Sequence, residues 1–468
     1  MAQELDVGLA IDESKRNRVA VSVIVLCGLI MLMDGYDYRI ISVAGPRIIS
    51  DWGVSATEFG YAISAAFVGY LFGAVFFGML SDRVGRKPTL LFASLIFSVG
   101  TLAVYFTGAL GELPAVRAFT DFAARTVPVE SPELLLLIAV RVFTGFGIGG
   151  AVPCAITLTS EYSPLKQRGK YVSLMYSGFL IGVVAGGYLA GYMLEKFNDW
   201  RPLFLVGFAA PVIVIVLLGF KLPESIRWLA VRETVTASQR ALIARLVAVI
   251  RPGTRVDEGT RFVTAAVKRK GSVKNLFAGK LSWVTPTVWL YYLISSIALF
   301  FLSSWSPKLL TLKGYADSHA AYINGTIDAV VAAGCMLSGF YFDKAGFRNG
   351  AVLYVVAAVC VFYAGGFEAV AFVLLLMAGS LFLNSGHMAV TILAPIVYPS
   401  DCRNLGGGAA IAAGRIGAII GPIIGGMLLD TKLPLERLIG IVAVPLVASA
   451  VLCYVTGRYY DLESQADK

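Results

Sequence analysis

Charge is scarce in this chain of 468 residues: only 15% of positions are Asp, Glu, Lys or Arg, against about 25% in an ordinary soluble domain. Paired cysteines are also lacking. Cys27, Cys154, Cys335, Cys360, Cys402 and Cys453 stand singly, mostly inside apolar runs, without the short spacings that build a metal site or a disulfide framework. They read as small packing residues. The chain has no phosphate-binding loop, no metal-ligand spacing and no nucleophile elbow. An enzyme, an ATP-driven machine, a cofactor and a bound metal are therefore not expected.

What is abundant is apolar sequence, at 57% of the chain. Water cannot satisfy backbone groups inside hydrocarbon, so each apolar stretch near the ~20 residues needed to cross a bilayer is expected to be helical. Twelve such stretches fall near residues 19–42, 57–80, 88–109, 133–157, 170–193, 201–220, 283–305, 317–341, 350–366, 369–396, 405–429 and 435–456. The expected fold class is an all-α integral membrane protein. Lys15, Arg16 and Arg18 precede the first run, which has the length of a span and no small-residue cleavage site, so it reads as a retained helix and not a signal peptide.

Lys and Arg divide unevenly between the two sides. The segments on the side of the termini carry 27, the opposite loops carry 9, and Arg39, Arg141 and Arg415 lie inside spans. The positive-inside rule then puts both termini in the cytoplasm. Residues 221–280 hold 13 Lys/Arg and 4 Asp/Glu, a balance of +9 that equals the net charge of the whole chain. That basicity follows from topology. No recognition motif accompanies it, so anionic lipid is the expected contact and nucleic acid is not a partner.

The basic segment separates six spans from six spans. The expected organisation is a tail over 1–18, a six-helix bundle over 19–220, a cytoplasmic linker over 221–282, a second bundle over 283–456 and a tail over 457–468. Sequence echoes join the halves. GMLSDRVGRK at 78–87 matches GFYFDKAGFR at 339–348 in its Gly, Asp, Gly and closing basic positions, and Gly182, Gly186 and Gly187 match Gly421, Gly425 and Gly426. Two pseudo-symmetric bundles place a substrate site near the midplane where they meet and let them rock to alternate access.

GMLSDRVGRKP and RVFTGFGIGGA (141–151) resemble the loop and fourth-helix motifs of the major facilitator superfamily. DGYD (34–37), PESIRWL (223–229) and RNLGGGAAIAAGRIGAIIGP (403–422) resemble its aromatic acid:proton symporter family, and the likeness spans nearly the whole chain. It implies proton-coupled transport of an aromatic carboxylate. The stretch 110–132 departs from the pattern: it is long for a connection on that side and carries Glu112, Arg117, Asp121, Arg125 and Glu130, to which no role is assigned.

Charge inside a span costs at least about 2.5–3.5 kcal/mol at its centre, so each retained charge is a candidate for function. Asp34, Asp37, Arg39, Arg141, Asp328, His387 and Arg415 are such residues. Asp34 and Asp37 are three apart and share a helix face, about 22 Å along the span from Val19. Two nearby carboxylates in a low dielectric cannot both stay ionised cheaply, which suits a proton carrier; Asp37 is taken marginally ahead of Asp34. Arg141 must find an anion, either an aspartate that proton binding releases or a permanent structural partner, and the resemblance ties this position to proton coupling.

Arg415, between Gly414 and Gly417, suits a substrate carboxylate, with pairing to Asp328 as the competing reading. His387 can titrate or simply hydrogen-bond as a neutral ring. Tyr36, Tyr38 and Tyr292 are candidates to stack on a ring-shaped substrate; most other span aromatics belong to packing or the interfacial belt. The expected binding set is thus Arg415, Tyr36, Tyr38, Tyr292, His387 and Asp328. Outside the bilayer, Asp82, Arg83, Arg86, Glu161, Arg168, Asp343 and Arg403 are expected to act as gating latches, or else to reflect helix capping and topology alone.

The expected function is proton symport of a benzoate- or hydroxybenzoate-like acid into the cell across a bacterial inner membrane by a monomer. Three arginines and three aspartates hold an organic anion neutrally only if a proton joins them. A carrier of another small organic anion, a sugar-porter-like protein and an efflux exchanger are the alternatives. The superfamily's exchangers carry Gly-Pro in the fifth helix, where this chain has Gly182-Val183, and a sugar does not require a central arginine.

Overall fold

The computed structural model describes residues 4–14, 18–111, 113–123, 129, 131–232, 236–251, 260–263, 273–399 and 402–466. Lys15, Arg16, Glu112, Arg125 and Glu130, all weighed in the sequence reading, lie outside them, as does the side chain of Asp121. Twelve described helices are long and apolar enough to cross a membrane. In chain order they are α1 (Arg18–Trp52), α2 (Ala56–Val84), α3 (Arg86–Tyr105), α4 (Pro132–Tyr162), α5 (Arg168–Phe197), α6 (Pro202–Lys221), α7 (Leu281–Leu312), α8 (Asp317–Ala345), α9 (Gly350–Ala364), α10 (Ala369–Ile396), α11 (Arg403–Asp430) and α12 (Leu435–Ala466).

Local chemistry sets several ends. Ser55 and Glu58 form a capping box that starts α2, and Ser131 with Pro132 at the first helical position starts α4. Gly85, at φ +121, ends α2 and turns the chain directly into α3, a backbone state that side chains rarely adopt. Large apolar side chains such as Phe72, Phe220, Phe340 and Val444 point outward, the pattern expected of a surface that lipid covers.

The six-plus-six repeat is visible in the packing. In the first half α1 lies on α5, α2 and α3 on α4, and α3 on α6; in the second, α7 lies on α11, α8 and α9 on α10, and α9 on α12. The glycine echo explains two of these contacts. Gly182 lets α5 sit against the backbone of α1 at Leu32, and Gly421 lets α11 sit against α7 at Ile297. The next glycines face the opposite half: Gly187 meets Gly325 of α8, and Gly426 meets Ala56 of α2. A side chain at any of these positions would push the helices apart.

The halves are fastened at the end remote from the termini. Asp430, at the end of α11, accepts hydrogen bonds from the amides of Ala56 (3.0 Å) and Thr57 (2.8 Å), which places its charge on the N-terminus of α2. On the pseudo-symmetric side, Tyr322 of α8 donates to Glu195 of α5 (3.1 Å), and Tyr188 pairs with Thr326 (3.0 Å). At the end that carries the termini, no hydrogen bond or ion pair among the described residues joins one half to the other.

The all-α expectation has one small exception. Strand β1 (Glu4–Asp6) pairs in parallel with strand β2 (Arg261–Val263) of the central linker. Asp6 caps the short helix Val7–Asp12, and Asp12 meets the amide of Leu165 (2.9 Å) and Arg227 (3.5 Å). The amino-terminal segment and the start of the linker therefore pack together against the first half. None of the six cysteines forms a disulfide.

Candidate functional site

A cavity of about 410 Å³ lies between the halves, walled by α1, α2, α4 and α5 on one side and α7, α8, α10 and α11 on the other. The seven in-span charges singled out from the sequence all line it. They separate into two closed pairs, one open pair and a histidine.

The first closed pair belongs to the first half. Arg141 Nη1 of α4 donates to Asp37 Oδ2 of α1 at 2.8 Å, and Thr101 of α3 donates to Asp37 Oδ1 at 3.1 Å. Both charged side chains are almost completely buried. The alternative partners left open for Arg141 reduce to this one: Asp37 ties α1 to α3 and α4 together.

The second closed pair crosses the interface. Arg39 of α1 forms a short ion pair with Asp328 of α8 and also donates to the carbonyl of Ser303 in α7 at 3.2 Å. Tyr38, its neighbour, donates to Ser303 Oγ at 2.8 Å. Successive helical residues point about 100° apart, so Asp37 faces inward to its own half while Tyr38 and Arg39 reach into the other. The expected competition between Asp328 and substrate for Arg415 does not arise here, because Asp328 is held by Arg39.

The open pair is Asp34 and Arg415. The Arg415 guanidinium lies over the ring of Tyr70 at 4.2 Å, and no carboxylate among the described residues is within 4 Å of it. Asp34 is the acid in electrostatic reach, and it too has no hydrogen-bond donor among the described residues. Gly414 and Gly417 bring α11 against Tyr292 and the Leu293 carbonyl of α7. Tyr70, Tyr176 and Tyr292 lie around this pair, and Phe67 and Phe300, packed on Tyr38, add to the aromatic wall of the cavity.

Of the three tyrosines chosen from sequence, Tyr38 and Tyr292 line the cavity and Tyr36 does not. Tyr36 is 5% exposed and donates to the carbonyl of Leu203 at 2.9 Å, packing α1 onto α6. Its position corrects the expectation, for a two-residue step along a helix, about 200°, turns a side chain away from the face of Tyr38. His387 is a cavity residue: its Nδ1 is 2.8 Å from Ser295 Oγ, and its ring lies 5.2 Å from that of Tyr292.

The loop residues gather outside the membrane on the first half only. Arg86 bridges Asp82 (2.7 Å) and Glu161 (3.4 Å). Glu224, from the PESIRWL stretch, accepts from the amides of Arg86 (3.0 Å) and Lys87 (3.2 Å) and so caps α3. Burial pushes its carboxyl above the ordinary range, while those amides pull it back. Trp228 donates to the Asp82 carbonyl and Arg232 to the Arg83 carbonyl, but the Arg83 side chain is exposed. Arg168 has a buried Nε with no partner among the described residues.

Among the described residues, Asp343 is exposed and without a hydrogen bond or ion pair, and Arg403 reaches only the Tyr398 carbonyl (3.3 Å). In the second half the acid beside the motif glycine is Asp461, close to Gly346 and 4.0 Å from Arg348. Glu224 beside Gly85 is its counterpart.

The family model for the Major Facilitator Superfamily matches residues 27–398. The chain belongs to the major facilitator superfamily, within its aromatic acid transporter family. It is a multi-pass membrane transporter and not an enzyme. It is 31% identical to the gallate transporter of Pseudomonas putida over 93% of this chain and 91% of that one. To the 4-hydroxybenzoate transporter PcaK of Acinetobacter baylyi it is 28% identical, over 96% and 94%. A crystal structure of a D-xylose-proton symporter superposes with a TM-score of 0.71 at 17% identity, over 93% and 97%, a likeness of fold.

Sequence reasoning missed several residues that line the cavity or hold the residues that do. Tyr70 and Tyr176 stood among many span aromatics with nothing to rank them, and Thr101 and Ser295 are uncharged. The available signal for Glu224 was its place in PESIRWL, beside the loop motif it caps.

Proposed function

We propose that this transporter carries an aromatic carboxylate and a proton together, by alternating access, across a bacterial inner membrane with both termini in the cytoplasm. The observation that carries the reading is the open pair: a planar cation at Arg415, set among tyrosines, with Asp34 as the nearby counter-charge among the described residues. A carboxylate takes two parallel hydrogen bonds from such a fork, and an aromatic ring attached to it finds aromatic walls.

Charge balance supplies the coupling. Asp37 with Arg141 and Arg39 with Asp328 are each neutral, and Asp34 with Arg415 is neutral across the cavity. An arriving substrate carboxylate takes Arg415 and leaves Asp34 without a cation. In a dry site an uncompensated carboxylate is costly, so Asp34 takes a proton. Substrate and proton are then carried as a neutral pair, and release of one returns Arg415 to Asp34.

In this assignment Asp34 is the titrating group, Asp37 and Arg141 form the coupling pair, and Arg415, Tyr292, Tyr38 and His387 bind substrate. The cross-half ties at the remote end, with none among the described residues at the other, fit a cavity open toward the cytoplasm. Asp82, Arg83, Arg86, Glu161 and Arg168 would meet the second half, with Asp343 and Arg403, when that end closes.

The identities of the relatives support the substrate class: the names of the two quoted above specify gallate and 4-hydroxybenzoate. Counterflow in proteoliposomes with labelled benzoate and its hydroxy derivatives tests the substrate class. Protonophore sensitivity tests the coupling. Uptake of sugars with no response to aromatic acids would overturn the reading.

A further inference from the structure

We propose that His387 reads a ring hydroxyl of the substrate and makes this transporter selective for hydroxylated aromatic acids over unsubstituted ones. The proposal rests on the aromatic carboxylate reading and adds to it the group that recognises the other end of the molecule.

His387 lies on α10 and borders the cavity together with Asn384, Thr391 and Ser296. They are among the uncharged polar side chains of the cavity wall, which also include Ser303, Ser306, Asn324 and Ser380. Tyr292 links this polar group to the arginine: its ring packs on Gly414, next to Arg415, and lies 5.2 Å from the His387 ring. Its hydroxyl is 3.4 Å from Thr391 Oγ1. An aromatic acid anchored at Arg415 and lying along Tyr292 therefore directs its ring substituents toward His387.

The histidine is held for that task. Its Nδ1 meets Ser295 Oγ at 2.8 Å, and the same hydroxyl meets Tyr354 OH at 2.5 Å, so a chain of three buried groups fixes one edge of the imidazole. The other ring nitrogen, Nε2, has no partner among the described residues, and it is not sealed in the protein. A fixed imidazole with one free nitrogen beside a ligand cavity is a hydrogen-bonding position waiting for a group. Whichever tautomer the Ser295–Tyr354 chain selects, a phenolic hydroxyl matches it, because that group both donates and accepts.

A site built to hydrogen-bond a hydroxyl discriminates against the analogue that lacks it, since its polar atom is then left dry and unpaired. Ser295 acts here as a positioning residue. Without it the ring can turn and its free nitrogen loses its aim.

The test compares apparent affinities for benzoate and for 3- and 4-hydroxybenzoate in counterflow, in the full-length protein and in His387→Phe, His387→Gln and Ser295→Ala. The readout is the ratio of hydroxybenzoate to benzoate affinity, which cancels effects on protein amount. The ratio is expected to fall about tenfold in His387→Phe, the scale of one hydrogen bond, and to recover in His387→Gln, which can still donate and accept. Ser295→Ala is expected to lower it in the same direction. An unchanged ratio in His387→Phe, or equal loss of both substrates, would overturn the proposal. If the unaltered protein carries none of the three acids, it is the aromatic carboxylate reading that fails.

Discussion

Arg39 of α1 and Asp328 of α8 form a buried ion pair that crosses from one six-helix half to the other. It lies beside the cavity, on the path between the binding cluster and the fastened remote end. A pair of this kind is costly to break on one side, because the partner left behind is a desolvated charge, at about 3–5 kcal/mol. For the remote end to open, these two residues must part.

The first prediction follows from that geometry. Asp328→Asn and Arg39→Met each leave one charge unpaired and are expected to shift the protein away from the state closed at the remote end and to abolish net transport. The exchanged variant Arg39→Asp/Asp328→Arg restores an opposite-charge contact and is expected to recover part of it. Distances between spin labels at the two ends of the halves, with uptake assays, check this. Wild-type distances in both single variants would show that the pair is not a latch.

Arg415→Lys is the second test. Lysine keeps the charge but offers a compact ammonium in place of a planar fork, and it stacks less well on Tyr70. Apparent affinity for an aromatic acid is expected to fall at least about tenfold, measured by concentration dependence of counterflow. Tight binding with lost transport would move Arg415 from substrate recognition to coupling.

Glu224 carries the third. Its carboxylate caps α3 through two amides and sits against Gly85 of the loop motif. Glu224→Ala should remove a charged helix cap worth about 1–2 kcal/mol and lower the thermal stability of the detergent-solubilised protein by a few degrees. The effect is expected to be on stability and gating, with substrate affinity in the surviving protein within about twofold of wild type, since Glu224 lies outside the cavity. A Glu224→Ala protein with unchanged melting would remove the cap from the account.

What the sequence made legible is governed by range. Span number and order depend on local hydropathy, and all twelve appear as helices. Ends were less legible: α1 continues to Trp52, ten residues past its apolar run, carrying Pro46 and an i,i+4 pair between Arg47 and Asp51 at 3.2 Å. Proline and charge usually mark a helix stop, but packing of this end against Trp200 and neighbouring helices overrides them.

Partnership among the six central charges was legible only for Arg141, expected to meet an aspartate of α1, as it does at Asp37. Three arginines and three aspartates can be matched in several ways, and the pair Arg39–Asp328 joins residues 289 positions apart. Arg39 was visible as an in-span charge, yet spacing along one helix says nothing about which helix lies opposite. The same limit hid the placement of Tyr36, which periodicity puts one step from a cavity face but cannot assign to either side.

The last prediction separates the two aspartates of the DGYD stretch, which spacing alone placed on one face. Asp37 is closed by Arg141 and Thr101, whereas Asp34 has no such partners and looks across the cavity at Arg415. That difference reverses the order suggested by sequence and makes Asp34 the group that the proposed cycle protonates and releases. Asparagine keeps the shape and some hydrogen bonding but cannot titrate. Asp34→Asn is therefore expected to abolish accumulation driven by a proton gradient, while exchange of labelled for unlabelled substrate persists, because exchange need not return an empty carrier. Asp37→Asn instead leaves the Arg141 charge buried without its counter-ion, which costs several kcal/mol and disturbs the packing of α1 on α4. Both activities are expected to fall together in that variant, along with protein abundance. Parallel uptake and counterflow assays on the same proteoliposomes distinguish the outcomes: if Asp34→Asn accumulates substrate against its gradient as the unaltered protein does, the proton is carried elsewhere.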